Sequence, residues 1–141
     1  MATLVELLPD EYGYVVLVAT FSWFVVNWMA FRVGAARKKY GVKYPEMYSS
    51  EHPIFNCVQR AHQNTLEVVW YTLMFLLLGG LQHPRISAVG GLVWLVGRIS
   101  YARGYYTGDP EKRLNGAYGY FGLFALIGTT VSLALHLLGV V

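Results

Sequence analysis

Charge, cysteine and proline are all scarce in this sequence. Only 13% of its 141 residues are charged, five are proline, and Cys57 is the one cysteine. A soluble domain carries roughly 25% charged residues, so the shortage argues against a water-exposed surface all round. A lone cysteine excludes an intrachain disulfide framework and any cysteine-rich zinc site. No histidines and cysteines cluster at metal-ligand spacing, so no metal is expected. Lysine and arginine are absent before Arg32 and after Arg113. The start of the chain thus lacks the basic n-region of a cleavable signal peptide, and the first apolar segment is expected to remain as an anchor. No internal repeat or low-complexity stretch is visible.

Apolar residues fill the space that charge leaves. They make up 55% of the chain, eleven residues are tyrosine, and the mean hydropathy is +0.40. Long apolar runs of this kind point to a small integral membrane protein of one domain, residues 1–141, rather than to a buried soluble helical protein. The net charge of +3 and pI near 9.0 do not imply a nucleic-acid partner. The basic residues flank apolar segments, which is how membrane proteins place them.

The fold class expected is all-α integral membrane, a four-transmembrane-helix bundle. The first helix is predicted over about 11–39, around YGYVVLVATFSWFVVNWMAF, and ends on Arg32, Arg37, Lys38 and Lys39. Cations suit a helix C-terminus and a membrane interface. The second is predicted over about 54–82. It stops before His83-Pro84, because the residue before proline disfavours helix. The third covers about 84–106 and the fourth about 114–138. The connection between helices two and three is very short and makes a tight hairpin. The third connection, TGDPEKRLNG, contains Gly-Asp-Pro as a turn signal. Gly90, Gly91, Gly116, Gly119 and Gly122 permit close helix contacts.

Basic residues also set orientation. The first connection and its flanks hold Arg32, Arg37, Lys38, Lys39, Lys43 and Arg60, and the third holds Arg103, Lys112 and Arg113. The second holds only Arg85. Connections one and three are therefore expected in the cytosol and both termini on the opposite side.

Three charges break the apolar runs. Arg60 and Glu67 lie in the second helix and Arg98 interrupts the third. A charge at membrane depth is costly, so it normally faces a bundle interior and marks a site. In RAHQNTLE, Arg60, Asn64 and Glu67 fall at i, i+4 and i+7 and share one helix face. In RISYARGYY, Arg98, Tyr101 and Tyr105 fall at i, i+3 and i+7 and do the same. Arg37 and Arg113 add positive potential on the same side.

An arginine with a carboxylate suits a zwitterion. The guanidinium grips a carboxylate bidentately and Glu67 accepts from an ammonium. Glutathione fits: it has two carboxylates, one ammonium and a thiol whose reactive form is an anion. The competing reading is an internal Arg60–Glu67 pair that only fixes helix packing. His62 lies on the opposite face and is read as a packing or subunit-contact residue. Cys57, with no base placed beside it, is read as a packing cysteine.

At these residues the chain resembles the membrane-associated proteins in eicosanoid and glutathione metabolism, above all their microsomal glutathione S-transferase 3 subgroup. The signatures are ARKKYGVKYP, FNCVQRAHQNTLE, HPRI and GYYTGDPEKR, in that order along nearly the whole chain. The resemblance implies a homotrimer in the endoplasmic reticulum membrane, multi-pass, with its active site facing the cytosol. It implies glutathione as co-substrate at each subunit interface. Arg37, Arg60, Asn64 and Glu67 would hold it, with Tyr101 and Tyr105 of the neighbouring subunit.

Arg113 matches the arginine thought to stabilise the thiolate. The spacing differs by one residue from that in leukotriene C4 synthase, so Lys112 competes for the role; the permanently charged Arg113 is preferred. Val68 stands where leukotriene C4 synthase has a tyrosine, and Lys38 where it has an arginine. The implied activity is glutathione transferase and peroxidase chemistry on lipophilic electrophiles or lipid hydroperoxides, including leukotriene C4 synthesis. A non-catalytic lipid-binding scaffold of the same fold is the alternative. A small channel or transporter is a third reading, weakened by the absence of paired broken helices.

Overall fold

The computed structural model describes residues 1–141 and is all-helical. A single turn, α1 (Leu4–Leu7), precedes four long helices: α2 (Tyr12–Tyr40), α3 (Pro53–Gly79), α4 (Pro84–Tyr105) and α5 (Gly119–Leu137). A 310 turn over Pro110–Gly116 joins α4 to α5. The α1 turn was not foreseen. Thr3 caps it, its backbone N–H donating to the Glu6 carboxylate at 2.6 Å.

Local chemistry accounts for the ends of these helices. Gly41 takes the left-handed conformation (φ 68°), and its N–H and that of Val42 both return to the Arg37 carbonyl, which closes α2. Both α3 and α4 begin at a His-Pro step, with Pro53 and Pro84 in the first turn where a missing N–H is harmless. The helix expected from about 114 starts at Gly119 instead. Asp109 caps the preceding turn by accepting the Glu111 N–H at 3.0 Å, and Leu114 stays in the 310 segment.

The 310 turn is pressed hard against α4. A Cβ added to Gly104 would collide with the Lys112 carbonyl, and one added to Gly97 would come within 2.6 Å of the Gly119 Cα. Backbone meets backbone there, so neither neighbour can rotate aside. Gly97→Val is expected to destabilise the protein by about 2–3 kcal/mol through overpacking. Thermal unfolding in detergent checks this; an unchanged midpoint would contradict the close α4–α5 contact.

Side-chain contacts define two ends. At one, Tyr12 donates to the Leu77 carbonyl at 2.8 Å, Arg85 pairs with Glu11, and His83 meets Ser132 at 2.9 Å. At the other, Arg32 lies over the Tyr106 ring and Arg37 over Phe55. So α2 and α4 run one way and α3 and α5 the other. The second end gathers nearly all the basic residues. Between the two ends, Met29, Ala61, Trp94, Leu95 and Leu123 form the central core, drawn from all four long helices.

The outer surface is apolar. Only 32 of 141 residues are buried, while Phe31 and Phe121 are each 77% exposed and Trp23, Phe24, Trp70 and Phe124 are exposed with them. A water-facing surface would not carry such a girdle. By length and composition α2 and α5 can each cross a membrane. The polar residues of α3 and α4 keep those two helices below that apolar standard.

Candidate functional site

The site begins with one face of α3. Ala61 and Thr65 are fully buried and turn one side of the helix into the core. Arg60, Asn64 and Glu67 lie about a third of a turn round the helix, at the edge of that inward side. Arg60 reaches along two turns to grip Glu67 through both guanidinium nitrogens, at 2.8 and 3.1 Å. Asn64, between them, donates to the same carboxylate at 3.3 Å. The pair is open: the Arg60 side chain is 38% exposed and that of Glu67 54%. Ion pairs this open contribute little to stability and come apart readily.

Arg98 on α4 completes the group. It donates to the Asn64 side-chain oxygen at 2.8 Å and to the Thr65 hydroxyl at 3.1 and 2.8 Å. Its guanidinium stacks 3.7 Å from the centre of the Tyr101 ring, which meets Tyr105 edge-on at 5.2 Å. No carboxylate pairs with Arg98; the two ion pairs of the chain are Arg60–Glu67 and Arg85–Glu11. Because a guanidinium only donates, it fixes the Asn64 amide with oxygen toward Arg98 and nitrogen toward Glu67. Arg60, Glu67, Asn64 and Arg98 thus form one connected chain of polar groups, with two cations and one anion. A cavity of about 70 Å³ opens beside Asn64 and Arg98, closed by Tyr71 and Tyr120.

Removing Arg98 strips donors from Asn64 and the fully buried Thr65. Arg98→Leu is expected to lose about 2 kcal/mol of stability. Arg98→Lys should recover part of it, having one nitrogen in place of a fork. Chemical denaturation in detergent measures both; equal stability of Arg98→Leu and wild type would show that the link is idle.

The structure does not bring every expected residue together within one chain. Arg37 is buried at 8% exposure, lies 4.4 Å over the Tyr44 ring and 5.4 Å from that of Phe55, and leaves one terminal nitrogen with no partner. It makes no hydrogen bond to the Arg60 group. Arg113 is half-buried and donates to the Pro110 carbonyl at 2.7 Å, inside its own 310 turn. Lys112 is exposed.

Thr65 joins the site without having been singled out, and Trp94, expected only as an apolar or belt residue, lines the cavity beside Arg98. The signal for Thr65 was its position beside Asn64 on the inward face. His62 is half-buried and Cys57 buried, its sulfur 3.8 Å from the Gly108 carbonyl. Neither touches the polar group.

The fold and its apolar surface describe a helical membrane protein with a cluster of charged and polar groups between α3 and α4. The MAPEG family model matches residues 15–135, and the chain belongs to that family of membrane proteins. It is 38% identical over 100 residues to an uncharacterized protein of Synechocystis sp., covering 70% of this chain and 72% of that one. It is 32% identical over 102 residues to microsomal glutathione S-transferase 2 of Bos taurus, covering 72% and 68%. A probable microsomal glutathione S-transferase of Dictyostelium discoideum is 26% identical over 132 residues, covering 87% and 85%.

Proposed function

We propose that the protein is a membrane-bound glutathione transferase with peroxidase activity, close in kind to microsomal glutathione S-transferase 3. The observation that carries this reading is the connected group of Arg60, Glu67, Asn64 and Arg98. It offers paired donors for carboxylates and an acceptor for an ammonium on one exposed face at the basic end. The names of the Bos taurus and Dictyostelium relatives support glutathione as the ligand. Glutathione displaces the open Arg60–Glu67 pair: its carboxylate takes the Arg60 fork and its ammonium sits on Glu67. Tyr101 and Tyr105 supply hydroxyl donors and ring faces.

The protein acts as a four-transmembrane-helix bundle assembled as a homotrimer in the endoplasmic reticulum membrane, the basic end toward the cytosol. Neither Arg37 nor Arg113 bonds to the Arg60 group within one chain, which favours a site completed between copies. The α3 face, Arg98 and the adjoining Tyr101 and Tyr105 come from one subunit, and Arg37 or Arg113 of a neighbouring copy completes the site.

Arg113 stabilises the thiolate and so raises the nucleophilic fraction of glutathione at neutral pH. The sulfur attacks an electrophilic carbon, forming a C–S bond as the leaving group departs or the adduct gains a proton. With a lipid hydroperoxide the sulfur attacks the terminal oxygen and the O–O bond breaks. The lipid leaves as its alcohol and the sulfur as a sulfenic acid, which a second glutathione converts to disulfide and water.

A lipid-binding scaffold of the same fold is the rival, and it draws on the fact that Arg60 and Glu67 already satisfy one another. Turnover separates the two. The purified full chain should consume glutathione with a model electrophile and with a fatty-acid hydroperoxide. Glutathione binding without either turnover would leave only the scaffold.

A further inference from the structure

One face of α2 carries a feature that the proposed glutathione site does not use. Phe21, Val25, Trp28, Arg32, Ala36 and Lys39 follow one another at spacings of three and four residues, so they form a continuous stripe. Toward the middle of the molecule the stripe lines an apolar groove of about 250 Å³, where Phe21, Val25 and Trp28 face Ile99 of α4. Toward the basic end it lines a second cavity of about 250 Å³, with Arg32, Ala35, Ala36 and Lys39 in its wall. Tyr106 joins the two. Its ring meets Trp28 edge-on at 5.6 Å, lies 4.9 Å under the Arg32 guanidinium, and forms part of the second cavity's wall.

Neither cation is compensated. Arg32 and Lys39 belong to no ion pair and donate no hydrogen bond; each only overlies a tyrosine ring. The dimensions also match a lipid. From Val25 to Lys39 the helix rises about 21 Å, which is one leaflet of a bilayer about 40–45 Å thick with its headgroups. Lys39 then lies at headgroup depth, Arg32 sits about 10 Å deeper with a long side chain that can snorkel toward the same headgroup, and the aromatic groove lies at acyl-chain depth.

We infer that this stripe is a phospholipid site: a membrane glycerophospholipid with an anionic headgroup seats its phosphate between Arg32 and Lys39 and one acyl chain along Phe21, Val25 and Trp28. The chemistry is two unpaired cations above an apolar slot, which selects net negative headgroups over zwitterionic ones. The site is separate from the Arg60–Glu67 group and stands whether or not that group binds glutathione.

The test uses the full chain in nanodiscs containing phosphatidylglycerol and phosphatidylcholine, with retained lipid counted by native mass spectrometry after detergent extraction. Wild type should retain phosphatidylglycerol preferentially. The Arg32→Gln/Lys39→Gln double variant should retain it about thirtyfold less, two cations near the surface each contributing to headgroup attraction. Ala35→Phe, which sets a bulky ring in the cavity wall and leaves every charge in place, should lose the lipid as well. Circular dichroism and the unfolding midpoint confirm that each variant is folded.

Equal retention of the two lipids by wild type, or undiminished retention in either variant, would overturn the inference. Displacement of the lipid by inorganic phosphate would reduce the site to an anion pocket and overturn the lipid assignment. Efficient chain-to-chain crosslinking through Ala35→Cys would show that a second copy covers this face and would overturn it also.

Discussion

Arg113→Ala is expected to lower kcat for glutathione conjugation by about 100- to 1000-fold while changing the glutathione Kd by less than about threefold. Removing one preorganised donor to a developing or stored anion has effects of this size in other enzymes. The residue is well placed to act late. It is half-buried in a 310 turn that is wedged against α4 through Gly104, so its backbone is held, while its side chain spends one bond on the Pro110 carbonyl. That bond is neutral and internal to the turn, and a thiolate would compete for the same guanidinium with a full charge. Lys112→Ala is expected to leave kcat within about threefold, because its side chain is exposed and only its carbonyl packs on Gly104. Steady-state kinetics with a soluble model electrophile separate kcat from KM. A normal Arg113→Ala rate together with a collapsed Lys112→Ala rate would move the role to Lys112.

Arg60→Ala is expected to weaken glutathione binding by about ten- to a hundredfold, the range for loss of hydrogen bonds to a charged group. The fold should survive the change. Asn64 stays anchored by Arg98, Thr65 stays buried, and Glu67, already more than half exposed, is left in water rather than in a dry core. Arg60→Lys should bind better than Arg60→Ala and worse than wild type, since one nitrogen replaces a fork. Glu67→Gln should weaken binding too, and the loss should vanish for a glutathione analogue with an acetylated amine, because the carboxylate is assigned to the ammonium. Calorimetry in detergent reads all four. Wild-type affinity in Arg60→Ala would return the Arg60–Glu67 pair to a packing role.

The fold was legible wherever the signal was local. The His83-Pro84 step and the basic run at the end of α2 each mark a helix end through local chemistry. The start of α5 was not, because Leu114 looks like the first residue of an apolar helix. What holds it in a 310 turn is contact with α4 at Gly97 and Gly104, far away in sequence.

The same division runs through the site. Spacing alone places Arg60, Asn64 and Glu67 on one face, and they bond to one another there. That Arg98 reaches across to Asn64 and Thr65 depends on the register between α3 and α4, which no spacing within a helix encodes. Arg37 packs on Tyr44 and Phe55 and Arg113 bonds within its own 310 turn, contacts between segments that no spacing within a helix encodes.

The most direct measurement is ultraviolet difference spectroscopy of the glutathione thiolate on the purified protein at neutral pH, wild type beside Arg113→Ala and Arg60→Ala. The expected result is a saturable thiolate signal in wild type, glutathione bound without that signal in Arg113→Ala, and a signal shifted to higher glutathione concentration in Arg60→Ala. Wild-type protein that raises no thiolate at any glutathione concentration would contradict the assignment of this charged face.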